Sequence, residues 1–448
     1  TGAGATAAAA GATAAVAAAD LRVADHAEVT RLDSGIRVVT ETVPSVRSVA
    51  LGLWVRTGSR DETTEQAGVS HFLEHLLFKG TERHSAIEIS EIFDGLGAAV
   101  NAATGKETTQ LHARFLDTHT DEAFDLLAEM LLGPTFPEID SERQVVLEEI
   151  AMYEDEPSDK VHDVLDEAIF EGHPLGRRVL GRAEVISSIP VPEIGAYHRQ
   201  RYTAANIVVA AAGNVEHERI VELSGRHVEP RAAAGESSGL EAPEADGARV
   251  RFQRKDTEQY HVCLGGPGVN RSDERRYALA VLDSAFGGST SSRLFREVRE
   301  KRGLAYAVGS YSQQFVDGGL VGLYVGTRED NIDEACAIIG RELASIHAEG
   351  IGADELARSK EHVKGRMVLS AESTAARMSR IAKSVLFDTE LLTLNEMLER
   401  IDGVSAEDVV ELGRELYAPD ALSAAAIAPS EERFRRALAP VNEALAAA

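Results

Sequence analysis

The sequence predicts an α+β protein of two structurally similar domains, each a mainly antiparallel sheet with helices packed on it. Three observations predict it. Blocks of β-branched strand residues are interleaved with pairs of helical patterns, which suggests an α+β layer. The 448 residues exceed one ordinary core, and the segment "PRAAAGESSGLEAPEADGAR" nearly bisects them with the aperiodic Gly, Ser, Ala, Pro and Glu of a linker. Beyond it, "HVCLGGPGVNRSDERR" repeats the plan of "ALGLWVRTGSRDETT" at a spacing of roughly two hundred residues: a strand, a Gly-bearing turn, then an Arg/Ser/Asp/Glu cluster opening a helix. The domains are therefore placed at 21–230 and 249–448, with a linker at 231–248 and an Ala/Gly-rich tail at 1–20.

The elements follow in order. Residues 1–19 are Ala, Gly and Thr with a single Val, which leaves little to bury and predicts a disordered tail. "AEVTRLDSGIRVVTETV" and "SVALGLWVRTGSRDE" read as strands broken at "DSG" and "TGS", and helices are expected from Gly68 to Phe78 and from Ala86 to Leu96. "GAAVNAATGKETTQLHARFL" reads as two strands turning near Gly105, and "HTDEAFDLLAEMLLGP" as a helix with an acidic start and a Gly-Pro stop. "IDSERQVVLEEIAMYEDEPSD" is a further helix, ending near Pro157. The stretch from Val161 to Arg201 is mostly helical, with breaks at Pro174, Pro190 and Pro192, and "NIVVAAAGNV" supplies a central strand.

Composition narrows the function. A formal net charge of −27, without clustered Lys and Arg, argues against a nucleic-acid partner. A basic ligand suits it better, and solubility alone also accounts for acidic excess. Cys263 and Cys336 form neither a CxxC pair nor a thiolate cluster and read as buried free thiols. No apolar run of 18 residues is present, and the start has no Lys or Arg for a signal peptide, so a cytoplasmic protein without a membrane partner is expected, although the chain begins without Met.

The chemistry centres on "GVSHFLEHLLFKGT", where His71 and His75 stand four apart with Glu74 directly before the second. On a helix such residues share a face one turn apart, so both imidazoles can address one ion while Glu74 hangs beside it. Metal-assisted hydrolysis requires this set: an ion that polarises a carbonyl and acidifies a water, and a carboxylate that takes the proton. The order is the inverse of the commoner HExxH helix. Zinc suits the donors, and manganese or cobalt accepts similar ones. Two histidines satisfied by backbone or solvent are the plain alternative. Glu149, with Val145 and Val146 one turn before and Met152 and Tyr153 one turn after, is placed on an apolar face where a lone carboxylate is costly. Glu142 shares that face, whereas Glu148 lies nearer the polar flank. Glu149 is thus the expected third ligand and Glu142 a carboxylate that orients the site, with helix capping or salt bridging as the alternative.

"SHFLEHLLFKGT", followed downstream by the second glutamate of "ERQVVLEEI", resembles the pitrilysin/insulinase-type zinc peptidases, and is most similar to their mitochondrial processing peptidase β-subunit-like branch. The resemblance implies one zinc per chain on His71, His75 and Glu149, with Glu74 as catalytic base and Glu142 as auxiliary acid. It also implies that Arg299 and Tyr306 of "REKRGLAY" clamp the substrate carbonyl, and that Asn101 and Ala102 of "NAATGKETT" form the strand edge that aligns substrate. By their own patterns Arg299 is an ordinary i,i+4 salt-bridge partner and Tyr306 a strand former. Family members of double length have four similar domains with the zinc domain facing the fourth. The resemblance therefore implies a homodimer that closes a chamber, with Arg299 and Tyr306 acting in trans on peptides or unfolded segments. The expected activity is a zinc endopeptidase. The alternatives are a non-catalytic core or assembly subunit, and one half of a heterodimeric processing peptidase.

Overall fold

β-Branched and small apolar segments of the first half pair into one six-stranded sheet. Its strands are β1 (Ala27–Arg31), β2 (Arg37–Thr42), β3 (Ser48–Val55), β4 (Ala99–Thr104), β5 (Thr109–Leu116) and β6 (Ile207–Gly213), in the order β1-β2-β6-β3-β5-β4. The second half forms a five-stranded sheet from β7 (Val250–Arg254), β8 (Tyr260–Pro267), β9 (Ala305–Gln314), β10 (Gly319–Thr327) and β11 (Ser423–Ala428), in the order β7-β11-β8-β10-β9. The computed structural model describes residues 27–137, 139–233, 241–244 and 247–447. The tail expected at 1–20 lies outside the described residues, as do 234–240 and 245–246 of the expected linker.

With β1 set aside, the two strand orders are the same. In each half the last strand inserts between the first and the second, parallel to the first and antiparallel to the second. All other pairings are antiparallel. The repeat read from a short motif is thus a repeat of topology.

The inserted strands explain the alanine content. β6 and β11 are buried along their whole length, because helices cover both faces of each sheet. Ala210, Ala212 and Ala425 leave room for a helix to lie close against them. Five helices of the first half are used below: α1 (Val69–Leu76), α2 (Ala86–Gly95), α3 (Thr120–Leu132), α4 (Ile139–Asp155) and α5 (Pro157–Ile169). The face of the first sheet carrying Leu51, Leu53 and Val55 packs with Phe72, Leu76 and Phe124 from α1 and α3, and Phe93 of α2 closes the same core.

The opposite face is covered from the other half. Met378, Ile381 and Val385 of helix Thr374–Leu386 pack on Ala50, Trp54, Val208 and Ala210. In exchange, Val161, Leu165 and Ile169 of α5 pack on Cys263, Ala425 and Ile427 of the second sheet. Each fully buried side chain of this kind contributes about 1.5–3 kcal/mol relative to exposure, so the two halves stabilise each other through their cores. The linear division at the linker does not divide the packing.

Charged pairs complete this contact. Arg60, buried, meets Glu107 at 2.8 Å and Asp317 of the β9–β10 turn at 2.5 Å. Glu41 receives Arg377 and Arg380 from the exchanged helix, the latter at 2.7 Å. Cys263 and Cys336 are both free and buried. Among the described residues no helix is long and apolar enough to cross a membrane.

Candidate metal centre

α1 is buried on nearly every side, with Phe72, Leu73 and Leu76 fully enclosed. Its entry is set by close backbone contact. Gly68 has φ +98°, and a Cβ there would stand 2.7 Å from the Leu180 carbonyl oxygen. Only glycine fits, so the position before the helix has no side chain to cap it. The cap comes from Glu62: its Oε2 accepts the Gly68 N–H at 2.8 Å and its Oε1 the Ser70 N–H at 2.7 Å. Burial pushes the Glu62 carboxyl up to about 7, against the opposing pull of those two amides. Ser70 Oγ in turn meets the buried Tyr197 hydroxyl at 2.7 Å.

From this turn the imidazoles of His71 and His75 project one above the other, ring centroids 4.7 Å apart. α4 crosses beside them and brings up Glu149. His71 Nε2 lies 3.6 Å from Glu149 Oε1, and His75 Nε2 lies 3.2 Å from Glu149 Oε2. Donors about 2.0–2.1 Å from a tetrahedral ion stand roughly 3.4 Å from one another, so these spacings fit a shared zinc. One ligand atom from each residue lies within 4.8 Å of the others, and no other His, Cys, Asp and Glu group converges this way among the described residues.

The protonation pattern suits an ion as well. Burial, with His75 as a second cause, pushes His71 down to about 4, so its ring is neutral near pH 7. His75 Nδ1 stands 2.8 Å from Glu142 Oε1, and Glu142 Oε2 meets Lys79 Nζ at 2.5 Å. A carboxylate at Nδ1 keeps the proton there and turns the Nε2 lone pair toward Glu149. His71 Nδ1 has no hydrogen-bond partner among the described residues. Glu74 is half-buried beside Thr104 at the end of β4; desolvation raises its carboxyl above the usual range, while Thr104 and His75 oppose that shift.

One expectation about α4 is corrected. Val145 and Met152 do not share an apolar face with Glu149; they are 51% and 73% exposed. The buried stripe is Glu142, Val146 and Ile150, and Glu149 stands at its border, half-exposed. A carboxylate there keeps water on one side and the histidines on the other.

The remaining expected residues fall in two other places. Asn101 and Ala102 lie on β4, the edge strand against which α1 packs. Ala102 N–H donates to Asn101 Oδ1 at 2.9 Å, so this amide is not used by the ladder to β5. Arg299 and Tyr306 come together, but with each other. Arg299 sits in a short π-helical turn, Phe295–Glu300, donates to the Tyr306 carbonyl at 2.8 Å and stacks on the Tyr306 ring 4.3 Å from its centroid. Tyr306 is 78% exposed. None of these contacts reaches His71, Glu74, His75 or Glu149 of the same chain.

Sequence reading missed Glu62, Tyr197 and Lys79. The available signal for Glu62 was a glutamate a few residues ahead of a helix whose own capping position is glycine. The helix that follows β8 in the second half carries no histidine. After β8 the helix Arg276–Phe286 buries Leu279 and Leu282, and its Asp283 is tied to Ser310.

The family described as Insulinase (Peptidase family M16) matches residues 37–183, and the one described as Peptidase M16 inactive domain matches 188–363. The chain is 43% identical over 402 residues to an uncharacterized zinc protease of Streptomyces coelicolor, covering 86% of each chain. It is 43% identical over 399 residues to one of Bacillus subtilis, covering 89% of this chain and 97% of the other. A peptidase M16 inactive domain structure from Pseudomonas fluorescens superimposes with TM-score 0.84 at 22% identity, covering 90% of this chain and 98% of that one. A protease structure from Helicobacter pylori does so with TM-score 0.83 at 23% identity, covering 90% and 99%. At these identities the two structures speak for the fold alone.

Proposed function

Since this chain belongs to the insulinase (M16) peptidase family, whose close relatives carry the name zinc protease, we propose that it is a zinc-dependent endopeptidase acting on peptides or unfolded segments. The observation that carries this reading is the convergence of His71, His75 and Glu149 with Glu74 beside them.

In this reading His71 Nε2, His75 Nε2 and the Glu149 carboxylate hold one zinc per chain. Zinc, when bound, supplies a Lewis acid that polarises the scissile carbonyl and acidifies a water. Glu74 takes the proton of that water on a carboxylate oxygen and later gives it to the leaving amine. Glu142 orients His75. A substrate strand lies along the open edge of β4 near Asn101 and Ala102, where main-chain hydrogen bonds accept varied sequences. The net charge of −27 favours basic peptides. Elemental analysis of the purified chain, with digestion of a mixed peptide library before and after chelation, tests the activity; zinc-free protein that cleaves as well as before would overturn it.

The outer carboxylate gives a graded expectation. Glu142→Gln loses the charge that holds the His75 proton at Nδ1 and leaves Lys79 without its partner. Zinc affinity is expected to fall about 10–100-fold, read by competition with a chromophoric chelator.

The pairing of Arg299 with Tyr306, away from the metal cluster of its own chain, favours action across a homodimer that closes a chamber. In a two-fold dimer each clamp then completes the partner's site. Mixing Glu74→Gln with Arg299→Ala chains is expected to recover about a quarter of parental activity by random pairing. Confirmed hybrid dimers without recovery rule out action in trans. If the chain alone is inert and a second, unlike chain restores cleavage, the heterodimeric reading replaces the homodimer; inertness with any partner favours an assembly subunit.

A further inference from the structure

We infer that Glu62 is a positioning residue for the metal centre, aiming His71 by holding the first turn of α1 from outside the helix. The inference rests on the proposed reading of His71, His75 and Glu149 as a zinc site.

The two histidines are held differently. His75 has Glu142 at its Nδ1, so its ring orientation is fixed by a side-chain hydrogen bond. His71 has no such partner for Nδ1 among the described residues. Its aim therefore follows from where the backbone of the first turn of α1 lies. That turn begins at Gly68, where no capping side chain fits, and its Gly68 and Ser70 amides both bond the Glu62 carboxylate. Ser70 directly precedes His71.

Glu62 is itself anchored. Arg177 donates to its backbone carbonyl, and Arg182 donates to the Thr64 carbonyl at 2.6 Å, so the segment leading into α1 is clamped from the 177–182 loop. Gly181, in that loop, touches Gly68 so closely that a Cβ would stand 2.2 Å from the Gly68 Cα. A carboxylate is the side chain that accepts from two amides at once. A glutamine of the same length accepts from one and turns an N–H donor against the other.

Glu62→Gln and Glu62→Asp test this, with Ile220→Val, a core change in helix His217–Leu223, as a control for general loss of stability. The readouts are zinc affinity by chelator competition, the visible spectrum of the cobalt(II)-substituted protein, and kcat and KM on a cleaved peptide. Glu62→Gln is expected to lower zinc affinity about 10–100-fold, to shift the cobalt band, and to lower kcat with KM unchanged. Glu62→Asp is expected to move the same way by less, and Ile220→Val to leave the spectrum and affinity as in the parent. A folded Glu62→Gln with parental affinity and spectrum overturns the inference, as does a parental Glu62→Asp where the Gln variant does not fold. Equal shifts in Ile220→Val overturn it too. A parent chain that takes up no metal instead overturns the reading of the site itself.

Discussion

Glu74→Gln is expected to lower kcat by about 10²–10⁴-fold, the usual contribution of a positioned general base, while the protein keeps its zinc. The two halves of this outcome have separate causes. Glu74 is not among the three residues whose donor atoms converge, so removing its charge takes nothing from the ion's shell. Its carboxylate is half-buried beside Thr104 and close to both His75 and Glu149, and desolvation raises its proton affinity above that of an exposed glutamate. A glutamine occupies the same volume and still hydrogen-bonds, but has no basic oxygen to take a proton near neutral pH. Metal analysis and peptide turnover on the same sample check both halves. Parental turnover with bound metal would remove Glu74 from the role of base.

Glu149→Ala is expected to abolish activity by the other route, through loss of metal. With Glu149 gone, only His71 Nε2 and His75 Nε2 face the site, and two imidazoles make an incomplete shell for an ion that takes three protein ligands when catalytic. The measurement need not rely on activity. A ligand that binds only the folded state stabilises it by about 2.7 kcal/mol at a hundred times its Kd, so the parent is expected to gain that much against denaturant as zinc is added. Glu149→Ala is expected to gain almost none at the same zinc concentration. Equal stabilisation of parent and variant would show that the ion is held elsewhere. Since Glu149 is half-exposed and borders the buried stripe of α4, the metal-free variant is expected to fold with little loss of stability.

These two substitutions separate chemistry from binding at neighbouring side chains. Glu142→Gln and the Glu62 variants then grade the support behind each histidine. In that ordering His75 depends on a side-chain partner, and His71 on the placement of its backbone.

The local pattern of the sequence determined the histidine pair and the neighbouring glutamate, because four-residue spacing on a helix is a property of the chain alone, whereas the apolar face that made Glu149 a candidate was redrawn by packing. It also determined the strand segments and the repeat, since alternation and turn residues are read over a few positions. The convergence of α4 on α1, the insertion of β6 and β11 into mid-sheet, and the exchange of helices between the halves were decided by tertiary packing, where residues far apart in sequence bury one another's apolar faces. The same cause put Val145 and Met152 in solvent, turned Arg299 onto Tyr306, and assigned the cap of α1 to Glu62. Each of those outcomes depends on which surface lies opposite, and a one-dimensional pattern does not carry that.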